Sequence, residues 1–476
     1  MNEIHDISFG LHPMQDFDEA GAADLQLMSV VAGDPGVARY RSRRLTHRPS
    51  VGIPGAAALP IANDGGSLKF MLRVGLTGGI AAGKSLAAST LQELGAVLID
   101  ADQLARAVVE PGTEGLREVA DAFGSEVLLP DGSLDRPALG ARIFADPGGR
   151  ARLNAIIHPR VRREAAKAEA AARAAAAGAV VVHDIPLLVE TGQEDSFHLV
   201  LVIDAPQQTR VRRMMENRAM TKQEALGRVG AQADSSTRNA AADVVLHNAG
   251  NPADLAAAVK HLWARRILPF ARNIDQRQRA ARQGGPVLVQ DGDWPRQASL
   301  LIRRLTRVDP RVLGVEHIGS TSVPGLPAKD VLDLQLTVAS LHDADGLSDR
   351  LAEAGFPRLP GIWQDTPTAE VPEPEKWQKR LHCNADPGRP VNLHVRVAGS
   401  PGWEYALAFR DWLRTNPDML AAYAAEKERC AAIHRDDATI AGYAARKEDW
   451  FTTFAAPRLT TWKNDAGWSP EQYLPR

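Results

Sequence analysis

One eight-residue motif limits this chain more than any other feature. Gly78-Gly79-Ile80-Ala81-Ala82-Gly83-Lys84-Ser85 fits the pattern G-x-x-x-x-G-K-[ST] without a mismatch. Upstream, Leu72, Val74 and Leu76 form an apolar run short enough for one buried strand. Downstream, Leu86, Leu91 and Leu94 share a helical face that Gly95 ends. The motif therefore sits between a strand and a helix start. There the backbone N–H groups of Gly79, Ala81, Ala82, Gly83 and Leu86 can close around phosphate oxygens. Lys84 reaches the outer phosphates, and the Ser85 hydroxyl is placed to ligate magnesium. A nucleoside triphosphate site follows from this stretch, and the chain around it must be an α/β layer structure.

At 476 residues, one such layer does not account for the whole chain. An apolar content of 44% supports large cores, and a net charge of −2 argues against nucleic acid as a partner of the whole chain. No run of residues is long and apolar enough for a membrane span. Two cysteines, Cys383 and Cys430, are too few for a disulfide framework, so the expected location is the cytoplasm. Residues 1–70 carry scattered apolar residues and breaks such as Asp34-Pro35-Gly36, and they read as a disordered leader rather than a signal peptide.

Strand and helix signals alternate through residues 71–272 and predict a doubly wound parallel sheet. A second strand ends in Asp100-Ala101-Asp102, at the rim where the P-loop opens. Asp102 suits a base for an attacking hydroxyl and equally suits an N-cap for a helix over Gln103–Val109. His158-Pro159 interrupts a helical pattern, which predicts that His158 leaves regular helix geometry. Strands over 179–182 and 199–203 bring His183-Asp184 and Asp204 to the same rim. Arg210, Arg212, Arg213 and Arg218 follow on one helical segment and read as a lid that clamps polyphosphate. A fifth strand, 243–246, ends in His247-Asn248, and a helix is expected from Pro252 to about Arg266.

These residues resemble the dephospho-CoA kinase family over about 72–270, through LTGGIAAGKS, IDADQLAR, VVEPGTEGL, IIHP, DIPLLVE and ADVVLHNAG. The resemblance implies transfer of the ATP γ-phosphoryl group to the ribose 3′-hydroxyl of dephospho-CoA, the last step of coenzyme A synthesis. It implies Asp102 as base and Lys84, Arg212 and Arg218 in phosphate handling. Arg238 becomes a further phosphate contact, and Asn248 and Gly250 the adenine-side segment. His158, Asp184, Leu187 and Glu190 fall to the acceptor, with Asp184 and Ser85 candidates for magnesium. Ala81-Ala82 departs from the Gly-Ser common in the family, a change that backbone contacts tolerate if φ is negative there.

Residues 273–286 are polar and read as a linker, with a second domain over 287–465 that opens on a strand at 287–290 and a helix at 294–306. Gly319-Ser320 followed by Asp333-Leu334-Gln335 has the layout of a nucleotidyltransferase site, where alternate strand residues jointly hold magnesium. Here one carboxylate is an amide, and Asp330 falls on the wrong face. EHIGSTSVPGLPAKDVLDL, WQKRLH and NLHVRV are similar to the GrpB-like family, which implies an α+β nucleotidyltransferase-like fold. His394 and Arg396 either line its cleft or are buried polar residues of a core strand. The expectation is an ATP- and magnesium-dependent kinase whose second domain contacts the first and is non-catalytic, stabilising or regulatory. Alternatives are a nucleoside monophosphate kinase, or an ATP-binding switch with an active C-terminal nucleotidyltransferase.

Overall fold

The computed structural model describes residues 70–146, 148–282 and 285–474. The expected leader lies outside them apart from Phe70, which is buried with the Arg277 guanidinium 4.9 Å above its ring. The first domain thus begins its core one residue earlier than expected.

Five parallel strands build the first sheet: β1 (Leu72–Gly78), β2 (Val97–Asp100), β3 (Val180–Asp184), β4 (Leu199–Asp204) and β5 (Val244–His247), in the order β2-β3-β1-β4-β5. The middle strands read as unbroken apolar runs because both sheet faces are covered. Leu72, Val74, Leu76, Leu199 and Leu201 pack on one face with Leu91, Leu255 and Ile274 from the helices Lys84–Glu93, Pro252–Leu262 and Leu268–Asp275. Val200 and Val202 pack on the other with Ile185, Leu188 and Phe197. All carboxyl ends meet at one rim, which carries Asp100, Asp184 and Asp204 beside the P-loop.

A separate helical core, with Leu116, Val119, Phe123, Leu139 and Ile157, covers one side of that rim. Its long member is a continuous helix, Gly149–Ala175, with Pro159 inside. His158 therefore stays helical, against the expectation. Proline costs one backbone hydrogen bond, but packing on the helices Ala101–Ala107, Glu114–Phe123 and Arg136–Ala145 holds both halves in register. The helix expected to end near Arg266 also runs on. A π-helical turn at Trp263–Ile267 joins it to Leu268–Asp275.

The second sheet comprises β6 (Gly314–Ile318), β7 (Leu332–Val338), β8 (Trp363–Gln364), β9 (Gln378–Cys383) and β10 (Val391–Val397), in the order β6-β7-β10-β9-β8. Only β7 and β10 are parallel; the other pairs run antiparallel. The strand expected at 287–290 is reduced to a single bridge between Val289 and Ala328. Helix Trp294–Thr306 forms as read, with Leu301 and Leu305 in the core of this sheet. Its other side faces the first domain. Arg304 donates to Asp243 at 2.7 and 2.9 Å, Arg303 reaches Asp195 at 3.1 Å, and Arg296 donates to the Ala242 carbonyl at 2.8 Å.

The segment expected as a linker is pinned as well. Ala280 is buried and donates to the Asn384 carbonyl, and Arg282 donates to Asn392 and the Val391 carbonyl. Arg266 forks onto Asp386 at 2.7 and 2.9 Å. His198 is half-buried at the seam: its Nδ1 accepts from the Arg73 N–H, so Nε2–H donates to the Glu353 carbonyl. A cavity of about 470 Å³ lies along this seam, away from the P-loop. Among the described residues, no helix is long and apolar enough to cross a membrane.

Candidate active site

The P-loop is held from three sides. Gly83 begins the helix Lys84–Glu93 at φ +105°, and the Asn248 side chain occupies the space a Cβ would need there. Asn248 Nδ2 donates to the Ala82 carbonyl at 2.7 Å, which ties the end of β5 to the loop. Gln232 accepts from the Ile80 N–H at 2.8 Å. Arg213 donates to the Ala81 and Ala82 carbonyls and to that of Asn248. Two further arginines, Arg210 and Arg238, are buried against Gly79.

Ala81 has φ +60°, so the condition under which alanine was expected to be harmless is not met. A left-handed alanine costs roughly 1–2 kcal/mol relative to a relaxed backbone. The loop accepts this because its carbonyl is already fixed by Arg213 and its methyl packs with Val211, Met214 and Met220. Ser85 is exposed at the first turn of the helix, and Gly250 is exposed beyond β5.

Asp100 caps the helix Ala101–Ala107, accepting from the Gln103 N–H at 2.9 Å. The capping alternative for Asp102 is therefore removed: Asp102 lies in the first turn with Oδ1 buried and without a hydrogen-bond partner among the described residues. Burial raises its pKa, the Asp100 charge adds to the rise, and Lys84 opposes it. Asp184, at the end of β3, is raised by burial and pulled back by Lys84, with which it forms an ion pair. Glu190 accepts from the Ala233 N–H through Oε1, while Oε2 is buried without a partner among the described residues. Leu187 is buried between these two acids in sequence. His158 sits on the helix that packs against the Asp102 helix.

The lid arginines divide differently from the reading of the sequence. Arg212 is exposed and faces Glu216 at 3.9 Å, and Arg218 ends the helix Gln207–Arg218. The rim contacts come instead from Arg210 and Arg213, which the sequence reading grouped in the lid without singling them out, while Gln232 is the site residue that sequence reasoning missed. A usable signal existed for telling the two arginine pairs apart. Positions 210 and 213–214 lie on the helix face that carries Val211 and Met214 toward the P-loop.

In the second domain, Gln335 is fully buried and spent on structure: its Nε2 donates to the Trp403 carbonyl and its Oε1 accepts from Arg396. Arg396 in turn forks onto Asp365. Asp333 accepts from Asn392 at 2.8 Å and lies 3.7 Å from His394. Among the described residues, no group of three His, Cys, Asp or Glu side chains could hold a metal ion.

The comparisons with known proteins divide the chain at the same place. The dephospho-CoA kinase family profile matches residues 72–254, and the GrpB protein profile matches residues 286–456. A dephospho-CoA kinase of Mycolicibacterium paratuberculosis is 46% identical over 414 residues, which is 84% of this chain and all of that protein. The chain belongs to the dephospho-CoA kinase family. It is a kinase with a GrpB domain fused behind it. A dephospho-CoA kinase of Streptomyces avermitilis is 52% identical over 194 residues, 41% of this chain and 93% of its own length. Among solved structures, the conserved protein GrpB from Enterococcus faecalis aligns with 37% of this chain and 99% of its own, at 23% identity and a TM-score of 0.30.

Proposed function

We propose that the first domain phosphorylates the ribose 3′-hydroxyl of dephospho-CoA with ATP, and that Asp102 is the base. The observation that carries the role of Asp102 is its buried, unpartnered Oδ1 at the rim, within the field of Lys84. A carboxylate raised by burial is a better proton acceptor than one in water. It takes the proton of the 3′-hydroxyl as that oxygen bonds to the γ-phosphorus. The bond from that phosphorus to the β,γ-bridging oxygen breaks, and ADP leaves with the electron pair.

Lys84 then exchanges Asp184 for the phosphates, and Arg210, Arg213 and Arg238 lie where charge develops on them. Arg212 and Arg218 complete the clamp on closing of the lid, and Asn248 and Gly250 face the adenine side. His158, Leu187 and Glu190 hold the acceptor. Magnesium, when bound with the nucleotide, neutralises phosphate charge. The donor set fits it: hard oxygen ligands from Ser85 and Asp184 leave room for phosphate oxygens and water. Both cysteines are free thiols, which agrees with a reducing cytoplasm.

ADP release measured with dephospho-CoA against a panel of nucleoside monophosphates tests the reading. Turnover is expected with dephospho-CoA alone, and equal turnover with a nucleoside monophosphate would overturn it. The GrpB domain is proposed to be non-catalytic and to brace the kinase. Gln335 supports this, since its amide belongs to the core. Deleting residues 287–476 should lower the melting temperature of the kinase half, which would lose the partners of Asp195, Asp243 and Arg266.

A further inference from the structure

Three lysines of the GrpB domain converge where the fold gives them almost no counter-charge. Lys427, on the helix Pro417–Ile433, is 1% exposed, and its Nζ has no hydrogen-bond partner among the described residues. It lies 5.4 Å from the Tyr423 ring centre, one turn back on the same helix. Lys447, on the adjoining helix Ala441–Asp449, lies 4.7 Å over the Tyr443 ring, and Lys329 approaches that ring at 5.2 Å. Tyr443 Oη is itself buried without a partner among the described residues.

Tyr423 lies beside Ser320, so the cluster adjoins the Gly319-Ser320 turn at the end of β6. Gly319, at φ +68°, lies so close that a Cβ there would come within 2.5 Å of Asp333. Asp333 faces all three lysines, and Glu448 acts on Lys447 alone. Arg282 adds a further positive charge near Lys329. Burial, then Lys447, lowers the Lys427 ammonium to about 6; burial and Lys447 bring Lys329 to about 8. A buried, unpaired cation beside like charges is costly unless an anion joins it.

We propose that this cluster is a binding site for the phosphate group of a small phosphorylated molecule, held without a divalent metal. The proposal deepens the non-catalytic reading of the GrpB domain. Gln335 is turned into the core, so Asp333 has no second carboxylate with which to share magnesium, and the lysines supply the charge that a metal would bring. Lys329 and Lys447 are half-buried and form the entrance, with Lys427 at the floor. A net charge of −2 argues against a nucleic-acid backbone as the occupant.

The test uses the full chain with Lys84→Ala, which weakens phosphate binding at the P-loop, and titrates it calorimetrically with pyrophosphate in EDTA. One site is expected, and Lys427→Met or Lys447→Gln added to that background should each weaken it at least tenfold. Lys447 is half-buried, so its variant keeps the fold if Lys427→Met does not. Neither lysine change, made in the wild-type background, should alter dephospho-CoA turnover. Absent pyrophosphate binding, or equal affinity in both lysine variants, would overturn the site. Label transferred from ATP to any acceptor, and lost with Asp333→Ala, would overturn the non-catalytic reading instead.

Discussion

The two domains each bring a positive-φ glycine, a hydroxyl side chain and an aspartate near a strand terminus to one rim, and they treat the aspartate in opposite ways. In the kinase, Asp102 is raised by burial and keeps an oxygen without a partner among the described residues. In the GrpB domain, burial also pushes Asp333 up, but the His394 imidazole 3.7 Å away and the Asn392 hydrogen bond outweigh it and hold the carboxyl at about 2. His394 is itself lowered to about 4 by burial, so near neutrality the ring beside Asp333 is uncharged. A carboxylate whose pKa is raised takes a proton from a reacting hydroxyl more readily than one held low. The second rim instead leaves the Lys427 amine unsatisfied among the described residues, and an anion beside it would restore its proton, which is why its ligand is expected to be an anion.

The largest effect should come from breaking that contrast directly. Asp102→Asn is expected to lower dephospho-CoA turnover by about 10²–10⁴-fold with ATP affinity nearly unchanged. Asp333→Asn should leave turnover where it was. Stopped turnover in the second variant, or normal turnover in the first, would reverse the roles given to the two rims.

Next in size is the seam. Arg304 and Asp243 are both largely buried and bonded twice, so Arg304→Ala should cost about 3 kcal/mol in a denaturant titration. A loss under about 0.5 kcal/mol, the range of ordinary surface substitutions, would mean that the domains do not brace each other.

Acid should then separate the halves. His317, His382 and His394 in the GrpB domain, and His198 at the seam, are each lowered to about 4 by burial. The unfolded chain binds those protons near pH 6.5, so their contribution is complete above that pH and lost as pH falls toward 4. Asp102 and Asp184 are raised, and they run the other way. Of the 9 tryptophans, all but Trp263 lie in the second half, so their fluorescence melt should drop between pH 7 and pH 5. An unchanged melt across that range would show that these histidines are not held neutral.

The smallest expected change is Ala81→Gly. Relief of the left-handed alanine, less the added freedom of the unfolded chain, should raise stability by roughly 0.5–1 kcal/mol. A thermal melt resolves it, and a loss of stability would show that the methyl contact with Val211 and Met214 outweighs the strain.

Local signals marked the P-loop, the five strands of its sheet and the acids at their ends, because a buried parallel strand must be an apolar run and its carboxyl end must turn polar. Family resemblance, rather than spacing, pointed from Asp102 to a base. The choice between cap and base needed the neighbouring Asp100, whose side chain satisfies the Gln103 N–H and leaves Asp102 unbonded. His158-Pro159 misled for a related reason. Proline's local cost was read correctly, but the packing of a 27-residue helix on three neighbours exceeds it.

By itself, then, the sequence determined which strands of the first sheet form and which carboxylates reach its rim, since periodicity and the residues that end each run are local properties of the chain. Only the tertiary structure decided which of those groups are spent. Arg213 rather than Arg212 meets the P-loop, Gln335 belongs to Trp403 and Arg396, and Lys427 is buried without a partner among the described residues. The first two outcomes depend on groups 61 to 132 residues away in sequence, and hydrogen bonding and desolvation are settled by neighbours in space.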